Sequence, residues 1–502
     1  MIGKIVRKEL LSNLLTLRFA VGTALLVILT VLFSSILISD YRQALKEYDR
    51  FVSKNSAELK QVLTYQNLTP TIYKPPEILT LFSKGVEENV AKSAQISVEE
   101  IPVLTNAGTS KNPLLAMFSV LDIVLVFKLV ISVLAVLLAY DAISGEKEDG
   151  TLRLMLSNET PRYKILWAKF LAGLLTLAIP IALGFLTTIL IMALSPVIVL
   201  TGENWLRIAL MAIVSLVVVS VFLSIGLLVS SLTKRASDTL LVLLFIWVTF
   251  LLIIPNVSSY LATQFKPVEM AGKLNAQIRE IGTNLNIQIS NISRQLPPES
   301  GYDVESDAQE LWGGYVKFGS AAFFRGRIRL MERILPLSAN AAREIGELKQ
   351  TYIRQLIEQR KWADSLARIS PLSLYENLMS ALSRTDISSL EAFSRQARDY
   401  RQKIVDFLEK RKAFSSVRYF STIPEDKIFE VKNAQEYMAV YIKYAHYQPK
   451  PIDLSDFPEF HYRQASVLDS LREILPDLLI LIFMGIVFLA CAFVAVLKYD
   501  VR

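Results

Sequence analysis

The side chains that most often carry chemistry are scarce in this sequence. Its 502 residues include two histidines, His446 and His461, and one cysteine, Cys491. Two histidines and one cysteine are too few for a zinc cluster built on those ligands, and a single cysteine excludes an intramolecular disulfide framework. No G-x-x-x-x-G-K-[ST] loop cradles a phosphate, and neither H-E-x-x-H nor G-x-S-x-G occurs. ATP binding by a phosphate loop, zinc-protease chemistry and the nucleophile-elbow hydrolases therefore have no residues to run on. Both histidines lie in tyrosine-rich sequence and read as surface or packed side chains. No catalytic residue and no metal ligand is assigned.

Two ionisable residues stand out by position. Asp122 and Lys128 interrupt a long apolar run, and charge in hydrocarbon is expensive unless it is paired or used. Six residues place them about 600° apart around a helix and about 9 Å apart along it, so they do not pair with each other. One reading makes them polar points on a substrate path or ties to another span. The other has Asp122 capping a shorter helix, with Lys128 snorkelling or paired elsewhere. The residues alone leave both open.

The elements that hold these residues are membrane helices. Hydrophobic residues make up 52% of the chain and charged residues 20%, only mildly off the averages for soluble proteins. Their distribution decides. A helix needs ~20 apolar residues to cross ~30 Å of hydrocarbon, and six runs qualify: 19–39, 113–140, 166–194, 206–232, 239–255 and 478–497. Arg207 falls at the edge of the fourth. The first run exceeds the 7–15-residue core of a signal peptide and reads as an anchor, although small residues near Ser34 and Ser35 leave cleavage open.

Basic residues choose the orientation. Lys4, Arg7 and Lys8 precede the first run. Lys147, Arg153, Arg162 and Lys164 follow the second, Lys234 and Arg235 the fourth, and Lys498 and Arg502 the sixth. All of these segments share one face of a six-span chain, and short basic loops stay cytoplasmic, so both termini are expected there. The net charge of +7 is small for this length and gives no sign of nucleic acid binding.

The fold class that follows is an all-α polytopic membrane protein, with six transmembrane helices and a mainly helical extracytoplasmic domain. An interfacial helix and the first span occupy 1–39, and a first extracytoplasmic insertion 40–112. Spans two to five occupy 113–257, with a cytoplasmic loop at 141–164. The large outer domain covers 258–476, and the sixth span and tail 477–502. In the outer domain, Leu274, Ile278, Ile281, Leu285, Ile289 and Ile292 recur at helical spacing, as do Leu390, Phe393, Ala397, Tyr400, Ile404 and Phe407. Asp386 or Ser388 is expected to cap the latter helix. Such stripes are first of all packing surfaces within a bundle. The first insertion is rich in Gln, Asn, Ser, Lys and Pro and reads as a mixed, loop-rich lobe.

The most distinctive local sequence is I-S-G-E-K-E-D-G-T-L-R-L-M-L-S over 143–157. Read physically, it is a charged loop leading into a short amphipathic helix, able to dock in a groove of a soluble partner; the simpler reading is a solvated loop between spans. This segment resembles the ABC-2 type permease family, whose members carry a pattern like I-S-G-E-[RK]-E-x-G-T-L-[RK]-x-[LM]-L-S after the second span. The opening Ile5, Val6, Arg7, Lys8, Glu9 and Leu10 are similar to the family's amphipathic start. Ser370-Pro371-Leu372-Ser373-Leu374-Tyr375 resembles a subgroup with a large insertion before the last span, which includes gliding-motility and copper-maturation permeases.

The resemblance implies a non-enzymatic permease subunit of an ABC transporter in a bacterial inner membrane. It implies a separate ATPase subunit holding ATP and Mg, a second permease subunit as homodimer or heterodimer, and room for an extracytoplasmic accessory protein. The coupling element would be Ile143, Ser144, Gly145, Glu146, Glu148, Gly150, Thr151 and Leu152, with Glu146, Glu148, Gly150 and Thr151 foremost as contacts. Nothing in the chain suggests copper. Competing classes are a membrane enzyme, which lacks convergent catalytic groups here, a secondary transporter, and an extracytoplasmic scaffold working without an ATPase.

Overall fold

The computed structural model describes residues 2–85, 92–97, 104–105, 122–151, 161–295, 310–311, 315–316, 321–423, 428, 435, 439, 442 and 448–498. Six helices are long and apolar enough to cross a membrane. Span 1 is Leu17–Leu59, span 2 Ile123–Glu148, span 3 Arg162–Ala193, span 4 Gly202–Leu232, span 5 Ala236–Phe265 and span 6 Val467–Leu497. Each contains the apolar core of one sequence run. Outside them lie α1 (Ile2–Leu14), α2 (Ala271–Gln295), α3 (Ala321–Ala367), α4 (Pro371–Ser383) and α5 (Ile387–Lys410). The protein is an all-α polytopic membrane protein; strands among the described residues are short.

Span 1 shows why an apolar run underestimates a helix. It has 43 residues, about 65 Å at 1.5 Å per residue, twice the hydrocarbon thickness. No proline interrupts it, and its polar half is rich in good helix formers such as Gln43, Leu45, Lys46 and Glu47. The helix therefore runs on past the membrane as a stalk. Spans 2 and 5 each contain one π turn, Phe127–Ile131 and Thr249–Ile253. Spans 2 and 4 cross so closely that Gly226 has no room for a side chain against Ala139.

Polar caps set the helix ends. Thr16 accepts from Phe19 N at 3.3 Å and Thr201 from Asn204 N at 3.3 Å. Asp386, one of the two caps expected from sequence, accepts from Ser388 N at 3.1 Å and starts α5. Pro371 is the first residue of α4, where its missing N–H costs nothing. Span 6 opens with a capping box between Ser466 and Asp469. Ser466→Ala is expected to remove about 1 kcal/mol of local stability. Amide exchange in the first turn of span 6 should then speed up about fivefold.

The main core joins spans 1 to 6 with α4, and its centre includes Leu26, Ala135, Leu177, Phe222, Leu374 and Leu481. A second core unites the two insertions. Leu68, Ile72, Ala94 and Ile96 from the first pack against Phe393, Ala397, Tyr400, Ile404, Phe407 and Leu408 of α5. The first insertion contributes an antiparallel sheet of β1 (Thr71–Tyr73), β2 (Ser93–Gln95) and β3 (Leu104–Thr105), in which Ile72 pairs with Ala94 and Ala94 with Leu104. Lys74 Nζ donates to Ser389 Oγ at 2.9 Å and Ile452 N to Val62 O at 2.9 Å across the two segments. Each insertion thus buries apolar side chains against the other.

The stripe of α2 lies half-buried, with no residue fully enclosed. It packs against α3, which has 47 residues and also rests on the end of span 5. These two helices form an arm beside the shared lobe.

Candidate functional site

Both chain ends meet at one end of the bundle. Arg162 Nη1 at the start of span 3 donates to Leu497 O at the end of span 6, 2.7 Å away. Helix α1 packs on the first turns of span 3. The segment 141–151 lies at this same end, hydrogen-bonded to spans 1, 3, 4 and 5.

Span 2 loses its regular helix at Tyr140, and Asp141 there takes Arg18 of span 1 at 2.8 Å. The chain turns and re-forms a short helix, Ser144–Glu148. Ser230 near the end of span 4 fixes that turn: its hydroxyl accepts from Ile143 N at 3.0 Å and Ser144 N at 2.9 Å and donates to Tyr140 O at 3.1 Å. The Ile143 side chain packs among Leu166, Leu227 and Ala492 of spans 3, 4 and 6. Lys147 Nζ donates to Thr233 O at 2.9 Å and also to Ser231 O. A cation there neutralises the negative end of the span 4 helix. Glu148 accepts from Ala236 N at 3.1 Å and so caps the first turn of span 5.

Glu146 points inward. Its carboxylate lies 2.7 Å from Lys169 Nζ of span 3, and the same ammonium is 3.4 Å from Glu9 of α1. The Lys169 side chain is 5% exposed. One cation holds two carboxylates from two separate segments, so α1, span 3 and the loop share a single ionic joint. The outward surface of the segment is formed by Glu148, Asp149 and Thr151. Gly150 adopts φ +72° with open space around it, a conformation that suits glycine and ends the short helix. Of the residues expected from sequence, Ile143 and Ser144 are buried, Gly145 and Glu146 half-buried, and Glu148 and Thr151 exposed. Leu152 lies outside the described residues, as do Leu154, Met155 and Leu156.

Asp122 caps span 2 in the structure, accepting from Leu125 N at 2.8 Å and from Lys84 N at 3.1 Å. The helix described begins at Ile123. Lys128 pairs with Glu376 of α4 at 2.6 Å. Sequence reasoning missed Glu376, Lys169 and Ser230 as partners. A double serine at the end of a membrane helix was the available signal for Ser230. His461 is an exposed side chain 3.6 Å from Glu459, and His446 lies outside the described residues. Among the described residues no group of histidine, cysteine and carboxylate side chains could hold a metal.

A family model described as ABC-2 family transporter protein matches residues 4–501. The chain belongs to that family. It is therefore a multi-pass membrane protein of an ABC-2 transporter family. It is also 35% identical over 120 residues to a protein of Stutzerimonas stutzeri described as a probable ABC transporter permease protein, NosY. That match spans 24% of this chain and 44% of the relative.

Proposed function

We propose that this chain is the membrane subunit through which a separate ATPase, holding ATP and Mg, drives conformational change in the bundle and far lobe. The segment 143–152 is the coupling element. What carries this reading is the wiring of the short helix Ser144–Glu148: Glu146 reaches span 3 and, through Lys169, α1, Lys147 the end of span 4, and Glu148 the start of span 5. A push on its exposed face moves several helices at once. Glu148, Gly150 and Thr151 form the contact surface, while Glu146 works behind it by passing force to Lys169. In this reading both termini are cytoplasmic, the membrane is a bacterial inner membrane, and two permease subunits pair.

The output is export or mechanical work on an extracytoplasmic partner. The shared core of the two insertions favours mechanical work, because a lobe that folds as one body can transmit motion without any solute crossing. ATP closure shifts the bundle only by the difference in its contacts with the two states.

Tagged chain extracted gently from its native membranes is expected to carry a stoichiometric ATPase subunit and to hydrolyse ATP. Glu148→Lys should weaken that association about tenfold, some 1.4 kcal/mol. Glu148→Gln, which still accepts from Ala236 N, separates loss of contact from loss of the cap. Absence of an ATPase in several mild detergents, with no hydrolysis, would instead favour a scaffold or a secondary transporter.

A further inference from the structure

We propose that the outward face of α1 binds the headgroup and upper acyl chain of an anionic phospholipid, in the leaflet on the side of both chain ends. The site needs no ATPase and stands whether or not the segment 143–152 couples to one.

The order of residues along α1 carries the first part. At about 100° per residue, Lys4, Lys8, Leu11 and Leu15 fall within about 60° of one another, with Arg7 at the edge of that stripe. All five side chains are exposed, Leu15 by as much as 85%. The stripe is cationic in its first half and apolar in its second. Ile2, Glu9 and Asn13 lie together on the opposite side, so the one carboxylate of α1 is turned away from the three cations. Among the described residues, Lys4, Arg7 and Lys8 are held in no ion pair or hydrogen bond.

The path of α1 along span 3 matches that order to a bilayer. Glu9 meets span 3 at Lys169, 3.4 Å away. Asn13 Nδ2 lies 3.5 Å from Thr176 Oγ1, about 10 Å further along span 3. The exposed aromatic side chains of Tyr163 and Trp167 mark the headgroup level on that span, and Trp167 lies just before Lys169. Helix α1 therefore climbs from the headgroup level towards hydrocarbon, lysines first and leucines last. An anionic lipid in this leaflet presents phosphate and chain in the same order. Lys4 to Leu15 covers about 16 Å, and one leaflet of hydrocarbon is about 15 Å thick.

The inner face of α1 makes the outer face a fixed platform. Glu9 is tied to Lys169, which also holds Glu146, and Leu14 packs on the main core. A ligand that meets a helix already held in place loses little affinity to ordering it. Basic residues beside apolar ones gain from headgroup charge and from chain contact together. A soluble acidic partner would answer the lysines, but Leu11 and Leu15 stand at a depth that lipid fills.

The test uses the full chain in nanodiscs, with Cys491→Ser and a fluorophore on Ser12→Cys beside the stripe. Brominated phosphatidylglycerol should quench it at about tenfold lower mole fraction than brominated phosphatidylcholine. Lys4→Gln with Lys8→Gln should remove most of that preference, since each basic residue at an anionic surface contributes about fivefold. Lys4→Arg with Lys8→Arg should keep it. Lys164→Gln with Lys498→Gln removes the same charge at the same end of the bundle but off the stripe, and should leave the preference unchanged. Equal quenching by the two lipids in the parent chain overturns the site. An equal loss in the Lys164, Lys498 pair also overturns it, because the preference would then belong to a generally basic surface. So does loss of a bound ATPase subunit from the Lys4→Gln, Lys8→Gln variant with its lipid preference intact, which would assign the face to that protein.

Discussion

Arg207→Met is expected to lower folding stability by about 3–5 kcal/mol, the usual cost of removing one partner from a buried charge network. Arg207 has no exposed surface. Its guanidinium donates to Leu382 O at 3.0 Å, Ser470 Oγ at 3.0 Å and Ala465 O at 2.9 Å. Arg384 stands beside it, 2.9 Å from Glu203 and 3.6 Å from Glu77, and also donates to Ala465 O. Methionine would fill the volume but take this donor from Leu382 O and Ser470 Oγ and leave Ala465 O to Arg384 alone. Arg207→Lys should recover only part of the loss, because an ammonium cannot serve the planar spread of acceptors that a guanidinium does. Reversible unfolding in mild detergent would measure both. A methionine variant as stable as the native chain would show that the cluster contributes nothing.

The effect should be large because of what the cluster joins. Glu77 belongs to the first insertion, Glu203 and Arg207 to span 4, Leu382 and Arg384 to the end of α4, and Ala465 and Ser470 to the start of span 6. Gly85 presses against Thr385 in the same region with φ +52°, leaving no space for a side chain. Lobe and bundle are therefore fastened at the rim of the membrane. Under the proposed function, motion of spans 4 and 6 would pass into the lobe through these charges.

Much of this architecture was legible in the sequence because the bilayer imposes a simple rule: a run of about 20 apolar residues crosses it. The rule sees composition only. It placed Arg207 at the edge of a run and could not see that the arginine is wholly enclosed. Nor could it see that α4, whose 13 residues are too few to register as a span, packs in the same core as the spans. The partner of Lys128 was hidden for another reason, since Glu376 lies 248 residues away. The shared core of the insertions was equally unreadable, because Ile72 and Phe393 meet only once the spans between them have folded. At the loop, the motif pointed to a docking segment, yet the inward turn of Glu146 depends on Lys169 and Glu9, which no spacing within the motif reveals.

That inward turn sets the second large expectation. Lys169→Met should leave Glu9 and Glu146 facing each other without a cation, at a site where their side chains are 18% and 19% exposed. Like charges at such a place repel, and the carboxylates will part. The loop then loses its hold on span 3 and α1, while Glu148 and Thr151 keep their outward positions. Binding of the ATPase should therefore survive, but the complex should turn over ATP about tenfold more slowly, or hydrolyse it without moving the bundle. Lys169→Arg keeps the charge and should retain most of the turnover. Combining Lys169→Met with Glu146→Gln removes the repulsion as well as the pair. The double variant should therefore be more stable than the sum of the single losses, with a coupling of about 1–3 kcal/mol. Normal turnover and strict additivity would reduce the joint to local packing. Retained binding with lost turnover separates a force-passing residue from a contact residue, because loss of a contact residue weakens the association itself.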